Sequence, residues 1–181
     1  MLVVRSALPE VLILEPTVFG DARGFFFESY NRKAFFHDTG IDVEFVQDNH
    51  SKSASNVLRG LHYQVRQPQG KLVRVVAGEI YDVAVDIRRG SPTFGKWAAF
   101  ALSAQSKQMA WIPPGFAHGF LVTSESAEVL YKTTDYYAPE HERTLLWNDA
   151  ALGIPWPSAG EPVMTDKDRR GLTLTAAETF A

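Results

Sequence analysis

Short apolar runs recur along the chain and alternate with turn residues. In EIYDVAVDI, residues 79–87, the odd positions are apolar from Tyr81 to Ile87, while Asp82 and Asp86 are not, which is the period of two typical of a β-strand. Similar runs, bounded by Gly, Pro, Asn, Asp or Ser, predict further strands at 11–14, 24–29, 43–49, 57–64, 71–78, 96–103, 108–114, 118–124 and 127–135. This spacing indicates an all-β sandwich or barrel.

One segment departs from the strand pattern. NRKAFFHDTG, residues 31–40, has a candidate N-cap at Asn31 and a glycine stop at Gly40, so it predicts one short helix. The tail GLTLTAAETFA is expected to be exposed or docked at the end of the fold. No repeat, low-complexity tract or linker interrupts the chain, so we expect residues 1–181 to form a single domain.

The strand VLRGLHYQ, residues 57–64, carries Arg59 and His62 among apolar residues. Burying an unpaired charge is costly, so these side chains need partners or a wet cavity. They lie three positions apart, and a regular strand would point them to opposite faces. A β-bulge at Gly60 would shift the register, and we expect it to turn both toward one side.

Other predicted strands carry polar groups too. Gln47 and Asn49 lie two positions apart, on one face of a strand, with Asp48 on the other. The further polar groups on or beside strands are Arg23, Glu28, Lys71, His118 and Tyr131. The strands either lie independently at the surface or converge on a polar-lined cavity of a barrel, which at about eight strands can hold one small ligand. The repetition favours the cavity.

Composition narrows the functional classes. The net charge is −3 and no long Lys/Arg run occurs, so nucleic acid and membrane surfaces are not expected partners. The absence of cysteine excludes disulfides, zinc–thiolate sites and a thiol nucleophile, and it fits a reducing compartment. Neither a signal-peptide pattern nor an apolar run of about 20 residues is present, so we expect a cytoplasmic protein.

Two segments, LHYQ at residues 61–64 and PPGFAHGF at 113–120, resemble motifs of the cupin superfamily. Metal-binding cupins typically need a His-x-His pair with a Glu in the first motif. Here the pair is His62 and Gln64, without a carboxylate at matching spacing, so we expect no metal and disfavour a metal-dependent oxygenase.

Chemistry without a metal remains. His62 is a base whose ordinary pKa lies near working pH, and Tyr131 is a weak acid. Lys71 supplies a positive charge for a developing enolate. A base, an acid and an oxyanion stabiliser suit proton abstraction next to a carbonyl. The candidates for phosphate binding are Arg23, Arg59 and Lys167.

Longer stretches carry a specific resemblance. From about residue 16 to 170, the chain resembles the dTDP-4-dehydrorhamnose 3,5-epimerase family, through DARGFFFESY, FVQDNHSKSASNVLRGLHYQ, QGKLVRVVAGEIYDVAVDIRRGSPTFGKW, WIPPGFAHGFLV, AEVLYKTTDYYAPEHERTLLWND and DKD. The resemblance implies a cupin jelly roll with one or a few short helices, a homodimer with exchanged strands, and no cofactor. It also implies a substrate, dTDP-4-dehydro-6-deoxy-D-glucose, whose C3 and C5 are inverted in dTDP-L-rhamnose biosynthesis.

The resemblance also assigns roles. It implies that His62 takes the proton, that Asp168 in DKD holds the imidazole, that Tyr131 returns a proton from the opposite face, and that Lys71 stabilises the enolate. Tyr137 matches a ring that stacks on thymine, and Arg23 and Lys167 are expected to reach one site from different subunits. The implied substrate contacts are Arg23, Glu28, Gln47, Asp48, Asn49, Arg59, Lys71, His118, Tyr137, Glu142 and Lys167.

Alternatives stay open at this point. His118 either touches the substrate or holds the fold, and Glu142, in the charged loop PEHERT, is either a contact or a solvated surface group. Asp82 and Asp86 receive no role. A sister enzyme that inverts only C3 or only C5 of a dTDP-4-keto-deoxysugar would carry the same His and Tyr. A non-catalytic sugar-nucleotide binder is disfavoured by the intact set of His62, Asp168 and Tyr131.

Overall fold

The computed structural model describes residues 1–181, and strands dominate it. The strands are β1 (Leu2–Arg5), β2 (Leu12–Glu15), β3 (Phe19–Asp21), β4 (Gly24–Phe26), β5 (Gln47–Ala54), β6 (Leu58–Gln64), β7 (Lys71–Ala77), β8 (Glu79–Asp86), β9 (Trp97–Ser103), β10 (Met109–Ile112), β11 (Phe116–Val122), β12 (Ser126–Thr133) and β13 (Glu142–Thr144). The helices are α1 (Arg32–Thr39) and α2 (Asp166–Arg169), with a 3₁₀ turn at Pro139–His141. The predicted all-β class with a few short helices is confirmed.

Two antiparallel sheets form the sandwich. One has six strands in the order β1-β2-β10-β7-β12-β5, the other five in the order β13-β6-β11-β8-β9, and β3 and β4 form a separate hairpin. A shared apolar core fills the space between the sheets, with Val73 and Ile112 from the first sheet and Ile80 and Phe120 from the second. Because the inner faces of the two sheets pack against each other, they set the relative orientation of the sheets.

The outer face of each sheet is covered as well. On the five-stranded sheet, Tyr63 and Val85 pack with Leu145 and Leu152 of the C-terminal segment. On the six-stranded sheet, a second apolar cluster contains Phe35 of α1. Because both faces are covered, β11 is buried along its whole length. The C-terminal tail, which the sequence leaves as either exposed or docked, is docked on the fold.

Helix α1 forms where the sequence predicts it. The Asn31 side chain accepts hydrogen bonds from the backbone N–H groups of Lys33 and Ala34, and so caps the first turn. Gly40 ends the helix in the left-handed region, with φ of 74°, where glycine has no Cβ to clash.

The strand predicted at residues 43–49 is shifted along the chain. Pairing with β12 begins at Gln47 and continues to Ala54, through a segment that is almost entirely polar. The apolar residues Val43 and Phe45 instead pack against the α1 cluster. Because β5 is an edge strand with one face toward solvent, it does not need the apolar pattern of a central strand. The short strands β1, β3 and β13 are not predicted from the pattern.

Candidate active site

A cavity of about 320 Å³ is lined by strands of both sheets. Its size lies at the lower end of the range of about 300–1,000 Å³ usual for ligand pockets. The lining residues are Gln47, Asn49, Ser51, Arg59, His62, Gln69, Lys71, His118, Gly119, Phe120, Val129, Tyr131, Tyr137 and Glu142. The expected polar-lined cavity is therefore present.

A β-bulge in β6 turns Arg59 and His62 toward this cavity together. In the pairing with β11, His62 lies opposite His118 and Arg59 opposite Phe120, so β6 has one extra residue between the two pairs. Gly60 has φ of 123°, and a Cβ there would lie 2.6 Å from the Gly119 Cα. Only glycine allows this backbone approach, and the predicted bulge is confirmed.

His62 is paired with Asp168. Its Nε2 lies 2.6 Å from Asp168 Oδ1, and about a quarter of the His62 side chain is exposed while Asp168 is buried. Burial by itself raises the pKa of Asp168, but the hydrogen bond and charge of His62 and the Gly60 N–H outweigh it, so this pKa lies below its ordinary value. An ionised carboxylate orients the imidazole and makes it a stronger base.

Short helix α2 delivers this carboxylate. Thr165 caps the helix, and its Oγ1 accepts a hydrogen bond from the Asp168 backbone N–H at 3.3 Å. Val57, just before β6, and Val163, just before α2, form a parallel β-bridge. This bridge ties the segment that leads into α2 to the start of β6. The motif DKD thus reaches His62 because the C-terminal segment folds back over the sheet.

Tyr131 and Lys71 project into the same cavity from neighbouring strands. Burial raises the pKa of Tyr131, so its hydroxyl keeps its proton at neutral pH. Burial lowers the pKa of Lys71 to about 8, although the charges of Glu142 and Asp82 partly oppose this. Lys71 is buried and forms no ion pair, so its ammonium is available to a ligand group with negative charge.

His118 forms a second pair with a carboxylate. Its Nε2 lies 3.0 and 2.9 Å from the two Asp82 oxygens, and both side chains are buried. The ring nevertheless lines the cavity. His118 therefore contributes to the cavity wall and is held by the fold at once, so the two alternatives for this residue are not exclusive.

Glu142 lies at the cavity and not at a solvated surface. Its Oε2 accepts hydrogen bonds from the Lys167 ammonium at 2.8 Å and from the Tyr137 hydroxyl at 3.0 Å. Burial raises the pKa of Glu142, but Lys167, His62 and Tyr137 together lower it below its ordinary value. This carboxylate connects the ring of Tyr137 to helix α2.

The edge strand β5 supplies amide and hydroxyl groups. Gln47 donates from Nε2 to Asn49 Oδ1 at 2.8 Å, and its Oε1 accepts from the Tyr137 N–H at 3.0 Å. The Asn49 Nδ2 and the Ser51 Oγ are buried and have no hydrogen-bond partner. Unpaired buried polar groups that line a cavity favour a ligand that pairs with them.

Arg59 stands beside these groups. Its Nε donates to Ser53 Oγ at 2.9 Å, and its guanidinium lines the cavity. Arg59 and Lys71 are two cations in the lining of the cavity, against the single carboxylate of Glu142, which is paired with Lys167. This charge balance suits an anionic ligand such as a diphosphate.

Four of the expected contacts do not line the cavity within one chain. Lys167 lies beside it, paired with Glu142. Arg23 is 90% exposed and pairs with Asp21 in the β3–β4 hairpin. Glu28 is exposed and accepts a hydrogen bond from Asn31. Asp48 points to the opposite face of β5, where it pairs with Lys132. Their roles as substrate contacts stay predictions.

Sequence reasoning missed four residues that shape the site. The sequence marks Asp82 only as a polar residue in an apolar strand, and Gln64 only as a position without a metal ligand. Ser51 follows Asn49 by two positions on the same strand face, so the alternation of β5 contained the signal. Gln69 lies in a loop, where no periodicity applies.

The chain has no group of three or more His, Asp or Glu side chains arranged to hold a metal ion. None of its helices has the length and apolar character needed to cross a membrane.

Comparison with known proteins gives consistent results. The family model described as dTDP-4-dehydrorhamnose 3,5-epimerase matches residues 5–176. The dTDP-4-dehydrorhamnose 3,5-epimerase of Pseudomonas aeruginosa is 61% identical over 180 residues, which is 99% of each chain.

Solved structures agree. A Legionella pneumophila dTDP-6-deoxy-D-glucose-3,5-epimerase in complex with dTDP-4-keto-L-rhamnose superposes with a TM-score of 0.95 at 49% identity, over 97% of this chain and 94% of that chain. A 3'-monoepimerase from Streptomyces bikiniensis in complex with dTDP-quinovose has a TM-score of 0.89 at 32% identity, over 94% and 87% of the chains. The fold is the cupin jelly roll that the family resemblance implies.

Proposed function

The chain belongs to the dTDP-4-dehydrorhamnose 3,5-epimerase family, and we propose that His62 and Tyr131 carry its proton transfers. The enzyme is an isomerase that converts dTDP-4-dehydro-6-deoxy-D-glucose to dTDP-4-dehydro-L-rhamnose in dTDP-L-rhamnose biosynthesis. One observation carries the assignment of roles: the paired imidazole of His62 lines the same cavity as the partly buried side chain of Tyr131 and the buried side chain of Lys71.

The first step is proton abstraction. The ketone at C4 acidifies the protons on C3 and C5, because the electron pair left behind delocalises onto the C4 oxygen as an enolate. His62 takes the proton, and Asp168 stabilises the imidazolium that forms. The pairing at 2.6 Å and the low pKa of Asp168 support this division of labour.

Lys71 stabilises the enolate oxygen. Its buried ammonium lacks an ion-pair partner, so a substrate oxygen that gains negative charge is its best available partner. The positive charge is worth more here than in water because the surroundings are desolvated.

Tyr131 returns the proton from the opposite face of the sugar. A high pKa keeps its hydroxyl protonated until the enolate is present. Inversion needs an acid that is not the group that took the proton, since the same group would restore the original configuration. After one centre is inverted, His62 is protonated and Tyr131 is deprotonated, and proton exchange with solvent returns both to their starting states. Because the ketone remains at C4, the same groups then act on the second centre.

The nucleotide occupies the polar rim. Arg59 binds the diphosphate, Tyr137 stacks on thymine, and the unpaired amide of Asn49 pairs with an acceptor of the ligand. Gln47, His118, Glu142 and Lys167 complete the contacts that we propose. The cations beside the cavity and the unpaired polar atoms of β5 support this orientation.

Proton NMR of dTDP-4-dehydro-6-deoxy-D-glucose in deuterated buffer tests the function. We expect the signals of both the C3 and the C5 protons to disappear with the enzyme and to persist without it. The Tyr131→Phe variant is expected to exchange protons with little inversion, because abstraction by His62 survives. Exchange at C3 alone would instead assign the chain to monoepimerases such as the S. bikiniensis enzyme, whose fold is similar.

We further infer that the functional unit is a homodimer with exchanged strands. The β3–β4 hairpin stands apart from both sheets, and Phe19, Phe25 and Phe26 are 63%, 64% and 69% exposed. An apolar patch of this kind favours burial against a second chain. The hairpin also carries Arg23, which does not line the cavity of its own chain. In an exchanged dimer it would reach the cavity of the partner.

Mixed dimers test this arrangement. Arg23→Ala and His62→Asn are each expected to be poorly active, but a co-refolded mixture regains activity, because one of its two sites then has both wild-type residues. Arg59→Ala mixed with His62→Asn is the control and gains nothing, since both residues serve the cavity of their own chain. A monomer at working concentration by light scattering, or equal activity of the two mixtures, would refute the exchange. The cytoplasmic location stays a prediction of the sequence.

A further inference from the structure

We infer that Gln64 is the positioning residue that holds the nucleotide-binding edge of the cavity, and this inference rests on the proposed role of Tyr137. Gln64 ends β6 and is only 4% exposed. It stands where a metal-binding cupin would have its second histidine, yet its side chain makes three hydrogen bonds to backbone groups, two of them 72 and 74 positions away in the chain. A buried amide with this many partners is not a passive filler of the core.

Two of the three bonds hold the loop between β12 and β13, and the third holds the turn that follows β6. Gln64 Nε2 donates to the carbonyl oxygens of Gln67 and Tyr136, at 2.8 and 3.2 Å. Its Oε1 accepts from the Ala138 N–H at 2.9 Å. Two carbonyls and one N–H leave only one orientation of the amide, so the side chain is locked.

Two of the residues that Gln64 binds, Tyr136 and Ala138, flank Tyr137. Gln64 bonds the residue before it and the residue after it, and therefore holds the backbone from which the ring projects. The ring is 53% exposed, so packing contributes little to its position. Its hydroxyl donates to Glu142 at 3.0 Å, which restrains only the far end. The direction of the ring at the cavity rim therefore depends mainly on the loop backbone.

The same loop orients the amide groups of β5. The Tyr137 N–H donates to Gln47 Oε1, and Gln47 Nε2 donates to Asn49 Oδ1. Asn49 Oδ1 is thereby occupied, and its Nδ2, buried and unpaired, is the end left for a ligand. A chain of hydrogen bonds thus runs from Gln64 through the loop to the donor at the cavity.

This arrangement predicts an effect on binding and not on chemistry. Gln64 contacts neither His62 nor Tyr131 through a hydrogen bond, so proton transfer in a bound substrate should be nearly unaffected. Loss of the three bonds should free the loop, disperse the ring over several directions, and raise the entropy that binding must remove.

Titration of dTDP into the full-length enzyme tests the inference. Gln64→Met keeps the length and shape of the side chain without its hydrogen bonds, and we expect the Kd for dTDP to rise about tenfold. The KM for the dTDP-sugar should rise in parallel, with kcat at saturation within about threefold of the wild type. Tyr63→Phe is the matched control, because it removes one buried hydrogen bond, to the Glu178 carbonyl, from the adjacent position of β6. It should lower the melting temperature and leave the Kd unchanged.

Gln64→Glu keeps the test decisive if Gln64→Met fails to fold. A protonated carboxyl group at this position accepts one hydrogen bond and donates one, whereas its ionised form faces two carbonyl oxygens. The ratio of the Kd for dTDP of this variant to that of the wild type should therefore lie closer to one at pH 6 than at pH 8.

Tyr137→Ala separates the two levels of the proposal. If this variant binds dTDP as tightly as the wild type, the proposed stacking role fails. If it binds weakly while Gln64→Met binds normally, stacking stands and the positioning role of Gln64 is overturned. A loss in kcat without a change in Kd for Gln64→Met would also overturn it.

Discussion

The cavity contains two histidine–aspartate pairs side by side, and they differ in exposure and in the origin of the carboxylate. His62 and His118 are cross-strand neighbours, and each binds its carboxylate through Nε2. About a quarter of the His62 side chain is exposed, against 9% for His118. Asp168 comes from a short helix late in the chain, whereas Asp82 lies on strand β8 beside β11.

The two pairs also differ in how firmly the imidazole is held. His118 is held by both oxygens of a fully buried carboxylate, which limits its rotation and its contact with water. His62 is held at one oxygen and presents its ring to the cavity. This difference supports the proposal that His62 transfers the proton and that His118 forms part of the cavity wall.

The largest expected effect comes from His62→Asn. Loss of a general base typically costs about 10²–10⁴-fold in rate, and we expect kcat to fall in that range. Turnover measured with a coupled reductase assay checks this, with circular dichroism to verify the fold. Turnover close to that of the wild type would remove His62 from the reaction.

A smaller loss is expected for Asp168→Asn. The neutral amide still contacts the imidazole but no longer stabilises its protonated form, so we expect kcat to fall about 10–100-fold. Asp82→Asn is the matched change in the second pair, and its kcat should fall by less. Equal losses in the two variants, measured at the same pH, would contradict the distinction between the pairs.

His118→Asn sharpens the comparison from the other side. We expect kcat/KM to fall about tenfold, because one polar contact to the substrate is lost while the base remains. The melting temperature should fall too, since Asp82 is left buried without its partner. A loss as large as that of His62→Asn, in a folded protein, would make His118 the base.

The smallest expected effect is a shift in pH dependence through Lys71. The pKa of Lys71 is about 8, so kcat/KM should decline above that pH as its positive charge is lost. The charge of Asp82 raises this pKa, so Asp82→Asn should move the decline to lower pH, by less than one unit. Asp168→Asn is the control and should leave the decline in place. If kcat/KM declined at the same pH in the wild type and in Asp82→Asn, the charge of Asp82 would have no effect on the pKa of Lys71.

The sequence predicts those parts of the fold that follow local chemistry. Helix α1 has its capping residue and its glycine stop within ten residues, and both are used as expected. The bulge at Gly60 is predictable because only a register shift brings Arg59 and His62 to one side.

Other parts depend on contacts that no local pattern contains. Strand β5 is polar on both faces, since one faces the cavity and the other faces solvent, so the apolar residues Val43 and Phe45 before it predict the strand too early in the chain. The partnership of Asp82 with His118 arises from the pairing of β8 with β11. The pairing of Asp168 with His62 is predicted only by the resemblance to the family, because the two residues lie 106 positions apart in the chain.

Proton exchange in deuterated buffer, followed by NMR for the wild type, His62→Asn and His118→Asn, tests the central claim most directly. We expect loss of the C3 and C5 proton signals with the wild type, slower loss at both carbons with His118→Asn, and no loss with His62→Asn. Exchange that survives in His62→Asn, or that disappears only in His118→Asn, would contradict the assignment of His62 as the base.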